Sequence, residues 1–268
     1  MRGTRDYRTG SHPSGDTATM LSTEQIHSFK TRGYCVMPHV MSAEQLAAAR
    51  EAADALVAAA ARDEPYPPSF LREGESYTAI TKAGNRLFFS NRCEHFPGLE
   101  AFVKGELMGT IAHELLGAQP YLFNEQMVVK APQHGDSFAW HQDSGYIKFA
   151  HRPYLTLWCA LDDATRHNGT VYIIPRDIEA DRSVTPHAWD TAGANLVGYH
   201  GDEPGELVEA PAGSIVAFSS VTLHRTGANT TDRPRRALVC QYTAEPLLRP
   251  DTGRAHNRAV RMPVPVAA

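Results

Sequence analysis

Apolar positions repeat with two different periods along this 268-residue chain, and the change falls near Tyr121. Before it the spacing is helical. Residues 23–32 fit a short helix stopped by Gly33, and "GYCVMPHV" reads as a strand. Ser42, followed three residues later by Gln45, predicts a capping box that opens an Ala-rich helix over 43–62. A further helix is expected over 98–116, closed by Gly117. Residues 63–85, with Pro65, Pro67, Pro68 and Gly74, read as a long loop of the kind that borders sites. Residues 1–20 carry no apolar period and are expected to form a mobile leader ahead of a single domain over 21–268.

From Tyr121 to Glu245 no amphipathic helix is expected. Short apolar or alternating runs recur between turn residues: "YLFNEQMVVK", "YLTLWCAL", "GTVYIIP", "GSIVAFSS" and "ALVCQYTAE". Helices first and strands afterwards predict a mainly β fold with flanking helices, of α+β class, built on an antiparallel sandwich.

Composition narrows the partners. A formal net charge of −4 and a pI near 6.3 give no global reason to bind nucleic acid or an anionic membrane, so a small molecule is the expected partner. The four cysteines are scattered without a CxxC, which argues against a disulfide framework and for a reducing, cytoplasmic setting. No window approaches the length of an apolar membrane span. A monomer or homodimer is expected.

The candidate chemistry lies in "FAWHQDSGY". His-x-Asp occurs three times where chance predicts about 0.7 occurrences. His134-Gly135-Asp136 and His200-Gly201-Asp202 sit among turn residues and read as loops. His141-Gln142-Asp143 has strand-compatible neighbours, and on a strand residues i and i+2 share a face, so one imidazole and one carboxylate can reach one ion. His224, expected at the end of the apolar strand "SIVAFSSVTL", supplies a third ligand from a neighbouring strand. Two histidines and one carboxylate suit non-haem Fe(II) with open positions; zinc remains compatible with the ligands alone. Arg235, eleven residues past His224 across one tight connection, is expected to open the antiparallel return strand and can hold the far carboxylate of a dicarboxylate cosubstrate bidentately. Arg236 must then face the other way. Arg225, Arg233 and Arg236 are expected to be surface groups.

Taken in order, "WHQDSGY", "LTLWCAL", "HNGTVYIIPRDI" and "GSIVAFSSVTLHRTGANTTDRPRRALVCQY" resemble the phytanoyl-CoA dioxygenase family of Fe(II)/2-oxoglutarate oxygenases, over about residues 24–245. The resemblance implies a double-stranded β-helix, a cupin-like jelly roll. It implies Fe(II) on His141, Asp143 and His224, 2-oxoglutarate held by Arg235 and Thr226, and O2 as the oxidant. It further points to Trp158 beside the cosubstrate, although a buried Trp serves equally as core. Gln142 is expected either to touch the cosubstrate or to cap the strand, and Gln126 either to touch a ligand or to face solvent. Asn124, Gln126 and Val128 should share one face. "HNGTVYIIPRDI" departs from the family pattern at Arg176-Asp177, so substrate contacts there are not carried over.

Relatives that halogenate carry a small residue in place of the aspartate, so Asp143 argues for oxygenation or an oxidation such as ring closure, desaturation or epimerisation. Residues 63–85 and 176–206 are long enough to form a lid. The absence of a basic channel argues against a coenzyme A thioester. Arginine far outnumbers lysine and alanine is abundant, as in GC-rich bacteria; the expected role is oxidative tailoring of a small natural product in secondary metabolism, such as antibiotic biosynthesis. The competing readings are a cupin-like metal-dependent isomerase or hydrolase that does not use 2-oxoglutarate, and a non-catalytic binding barrel.

Overall fold

The computed structural model describes residues 20–61, 81–83, 85–191 and 195–265. Helix α1 (Thr23–Arg32) leads through Gly33, at φ 75°, into strand β1 (Tyr34–Met37), and α2 (Ala43–Ala61) follows. The Ser42–Gln45 box is present, with Gln45 N donating to Ser42 Oγ at 3.1 Å and Ser42 N to Gln45 Oε1 at 2.9 Å. Strands β2 (Thr81–Ala83) and β3 (Arg86–Ser90) precede helices α3 (Pro97–Val103) and α4 (Glu106–Leu116).

Apart from a short 3₁₀ turn, Asp143–Tyr146, the remaining elements are strands. They are β4 (Tyr121–Lys130), β5 (Phe138–His141), β6 (Leu155–Ala160), β7 (Val171–Ile173), β8 (Ala188–Trp189), β9 (Leu196–Val197), β10 (Glu206–Val208), β11 (Ile215–Ser219), β12 (His224–Thr226), β13 (Arg235–Thr243) and β14 (Val260–Arg261). A major sheet runs β1-β11-β6-β13-β4-β3-β2, with β14 also on β4. A minor sheet runs β10-β7-β12-β5, and β8 and β9 form a separate hairpin. Every pairing is antiparallel. The fold is a jelly roll with helices packed on one face.

Strand alternation explains the layers. On β6, Leu155, Leu157 and Cys159 join the core shared with the helices, whereas Trp158 and Ala160 face the space between the sheets. On β11, Ile215 and Ala217 likewise face the helices, and Val216 and Phe218 face inward. The helix side is sealed by Ala49, Ala52, Ala53 and Leu56 of α2, buried at three- and four-residue spacing. The small alanines let this helix lie close to its neighbours.

Four expectations change. The helix expected over 98–116 is two helices, because a Cβ on Gly105 would lie 2.3 Å from the Ala101 carbonyl oxygen and the chain turns there. The loop expected over 63–85 ends in β2, and β3 follows at once; residues 62–80 lie outside the described ones, as do 1–19 of the expected leader. His224 opens a strand rather than ending one: β11 stops at Ser219, and the chain crosses from the major to the minor sheet before β12. For the same reason β13 does not pair with β12. It returns in the major sheet between β6 and β4, facing β12 across the sandwich.

Candidate metal and cosubstrate site

His141 ends β5, and Asp143 opens the short 3₁₀ turn Asp143–Tyr146 that follows it. His224 opens β12 and is the direct cross-strand partner of His141. The three side chains converge, with ligand-capable atoms all within 4.8 Å of one another. Asp143 Oδ1 lies 3.6 Å from His141 Nε2 and 3.5 Å from His224 Nε2. Among the described residues this is the one cluster of three such groups.

Hydrogen bonding fixes which atoms face the centre. His141 Nδ1 donates to the Ala139 carbonyl at 2.8 Å and His224 Nδ1 to the Thr222 carbonyl at 3.0 Å, which leaves both Nε2 lone pairs free. Asp143 Oδ2 accepts from Thr156 Oγ1 at 2.6 Å and Gln241 Nε2 at 3.1 Å, leaving Oδ1 free. Burial alone would raise the Asp143 carboxyl, but the two imidazoles and the Thr156 hydroxyl hold it below the usual carboxylate range. Burial pushes the His224 imidazolium down to about 4, aided by His141, so the ring is neutral near pH 7. An anionic Asp143 oxygen and a neutral His224 ring nitrogen aimed at one point are protonation states a divalent metal requires.

The triad opens into a cavity of about 410 Å³. Arg235, 1% exposed, lines it, and its Nε and Nη1 are buried without a hydrogen-bond partner. Burial pushes this guanidinium down to about 10, still charged at neutral pH. It lies over the Trp158 ring, 5.5 Å from the centroid. A buried cation with idle donors in a cavity fits an anionic ligand. Arg236, one residue on, points outward and pairs with Asp162 and Asp54 at 2.7 Å each.

Thr226, Trp158 and Gln126 all line the cavity. Gln126 does not face solvent; its Nε2 donates to Ser90 Oγ at 2.9 Å. Asn124 and Val128 share its face, and a bulge opposite Gln241 and Tyr242 turns the adjacent Phe123 inward as well. Gln142 is placed elsewhere. Its amide donates to the Ser183 and Val221 carbonyls and accepts from Thr185, so it fastens the 176–206 excursion to the metal-side strand and makes no wall of the cavity. The cause is alternation: His141 and Asp143 take the inward face, which sends Gln142 outward.

Sequence reasoning missed Thr156 and Gln241, which orient Asp143; the one signal was a polar residue at an inward position of each apolar strand. It also missed Phe88, on the overlooked β3, and Tyr146 as cavity walls. His134-Gly135-Asp136 and His200-Gly201-Asp202 lie in loops with His134, Asp136, His200 and Asp202 exposed. Arg225 is half-buried, with its guanidinium over Tyr172 at 3.9 Å from the centroid.

Known proteins resemble this chain in sequence and in fold. The chain is 28% identical over 169 residues to 2-aminoethylphosphonate dioxygenase of an uncultured bacterium, covering 62% of this chain and 63% of that protein, under two thirds of its length. The solved non-heme alpha ketoglutarate dependent carbocyclase SnoK from nogalamycin biosynthesis superposes with a TM-score of 0.61 at 22% identity, over 85% of this chain and 87% of that one. EvdO2 from Micromonospora carbonacea var. aurantiaca, solved with 2-oxoglutarate, gives 0.65 at 21% identity, over 83% and 91%. These two structures share the fold. The sequence model of the phytanoyl-CoA dioxygenase (PhyH) family matches residues 29–237, most of the chain, and the protein belongs to that family.

Proposed function

We propose that this protein is an Fe(II)- and 2-oxoglutarate-dependent oxygenase that oxidatively tailors an uncharged small molecule, as in bacterial secondary metabolism. The observation that carries the reading is the pairing of a buried His-Asp-His triad with a buried guanidinium, two of whose donors lack a hydrogen-bond partner, in one cavity. His141 Nε2, Asp143 Oδ1 and His224 Nε2 would hold the metal, and a set of only three protein ligands would leave room for the cosubstrate. Arg235 and Thr226 would hold the far carboxylate of 2-oxoglutarate, with Trp158 as the apolar wall beside it. Iron, 2-oxoglutarate and O2 together supply the oxidising power, releasing succinate and CO2. The chain's own task is to orient the target C–H bond and exclude side reactions.

The rest of the cavity favours a neutral substrate. Its described walls are aromatic rings, including Phe88, Phe138, Tyr146 and Trp189, and neutral amides such as Asn124 and Asn257. Arg235 is the one Lys or Arg among the described lining residues, and it sits at the cosubstrate end. A phosphonate or coenzyme A ester would call for further cations near the mouth. The neighbours from nogalamycin biosynthesis support a natural-product role. An isomerase or hydrolase without 2-oxoglutarate leaves the buried Arg235 unexplained. The test is succinate formation by the purified protein supplied with Fe(II), 2-oxoglutarate and O2. Succinate that depends on all three supports the proposal; none above the level of an Asp143→Ala control refutes it.

A further inference from the structure

Three buried basic side chains lie side by side at one level of the major sheet. Arg86 on β3 is the cross-strand partner of Lys130 on β4, and Lys130 is that of Arg235 on β13. Each is at most 1% exposed. Like charges in adjacent register are unfavourable unless something compensates. Arg86 has compensation: its Nη1 donates to the Ser137 carbonyl at 2.7 Å and to Asn195 Oδ1 at 3.0 Å, and its guanidinium stacks 4.2 Å from the Phe138 centroid.

Lys130 has no carboxylate partner. Its Nζ donates to Thr226 Oγ1 at 2.7 Å and to the Gly227 carbonyl. It threads beneath Gly169, where a Cβ would lie 3.0 Å from Nζ, so the ammonium has one path and one seat. The charged groups acting on it are Arg235 and Arg86, which disfavour its charge, and Asp136, which favours it. Burial, then these arginines, push Lys130 down to about 5, a neutral amine near pH 7.

The seat has a consequence for Thr226. Its Oγ1 accepts from Lys130 and, at 3.4 Å, from the Phe138 amide. Both lone pairs are thereby engaged, and the hydroxyl proton must turn elsewhere; Thr226 lines the cavity beside Arg235. An anion docked there would receive that proton as a hydrogen bond and would lie one residue's reach from Lys130.

We propose that Lys130 is a positioning residue for the distal carboxylate of the cosubstrate: it holds Thr226 as a hydrogen-bond donor and takes up a proton when the dianion docks. The proposal rests on the 2-oxoglutarate reading above. An incoming carboxylate supplies the counter-charge that the cation row lacks, which makes the ammonium form favourable.

The test is calorimetric titration of 2-oxoglutarate into anaerobic protein already loaded with Fe(II), near pH 7, in buffers of different ionisation enthalpy. Iron-bound imidazoles contribute no protons under these conditions. Wild type should show net proton uptake. Lys130→Met, which fills the same space, should lose the uptake and bind 2-oxoglutarate about 10- to 100-fold more weakly, with Fe(II) affinity unchanged within about 2-fold. In a Thr226→Val background Lys130→Met should cost less than about 3-fold more, because the two residues act in one chain. The wild-type measurement stands even where a variant does not fold. Binding without proton uptake, or uptake that survives in Lys130→Met, overturns the role of Lys130 and leaves the proposed function intact. No binding to the wild type overturns both.

Discussion

Arg235→Met separates the stability of the fold from binding of the cosubstrate. Two buried donors of the guanidinium have no partner within the protein, and each unsatisfied buried donor costs about 1–3 kcal/mol. Methionine occupies a similar volume beside Trp158 without the charge. Replacing buried ionic groups by apolar ones stabilises by about 1–4 kcal/mol, so the ligand-free variant should be more stable than the wild type by an amount in that range. Binding should move the other way. A buried carboxylate deprived of its guanidinium loses about 3–5 kcal/mol, which weakens 2-oxoglutarate roughly 150- to 5,000-fold. Urea unfolding with and without 2-oxoglutarate reads both effects. At 100 times its Kd the cosubstrate should stabilise wild type by about 2.7 kcal/mol and the variant, at that concentration, negligibly. Arg236→Ala is the control, because its partners Asp162 and Asp54 lie outside the cavity. A variant that is destabilised yet keeps cosubstrate affinity within about tenfold would show Arg235 to be a structural residue and refute the assignment.

Thr156→Val removes one of the two hydrogen bonds that orient Asp143, and should weaken Fe(II) by about 10- to 100-fold, as loss of an outer partner does. Asp143→Ala should weaken it further; equal, negligible effects in a competition titration would count against the triad. Gln142→Ala removes the bonds through Ser183 and Thr185 that fasten the 176–206 excursion and should cost about 1–3 kcal/mol through the orphaned Thr185 amide, since Arg176 still donates to the Ser183 and Val221 carbonyls, with faster proteolysis near Ser183 and Fe(II) affinity within about tenfold; unchanged proteolysis contradicts the fastening. The metal-free protein should lose stability as pH falls from 6.5 towards 4, because unfolded His224 binds a proton that the folded ring, depressed to about 4, refuses. That loss, on the order of 2–3 kcal/mol, should be missing from His224→Gln in chemical denaturation; identical profiles refute it.

The layers and the triad were legible because strands expose their period. Alternation in "YLTLWCAL" and "SIVAFSS" separates helix-facing from inward positions, and His-x-Asp on a strand puts both groups on one face. The sheet crossing between Ser219 and His224 was not legible, since "SIVAFSSVTLHRT" reads as one apolar run and only tertiary pairing divides it. Strand β3 was hidden by its polar flanks, Asn85 before it and Asn91 after. Nothing in "MVVKAP" marks Lys130 as buried, although the register places it between two buried arginines. Charge burial of that kind is a property of three strands at once, which no single segment records.

The most direct test is a crystal structure of the protein loaded anaerobically with Fe(II) and 2-oxoglutarate, with anomalous scattering measured at the iron edge. The account predicts one iron bound by His141 Nε2, Asp143 Oδ1 and His224 Nε2, with the distal carboxylate of the cosubstrate on Arg235 and Thr226. Iron bound away from these three residues, or a cosubstrate whose distal carboxylate avoids Arg235, would contradict it.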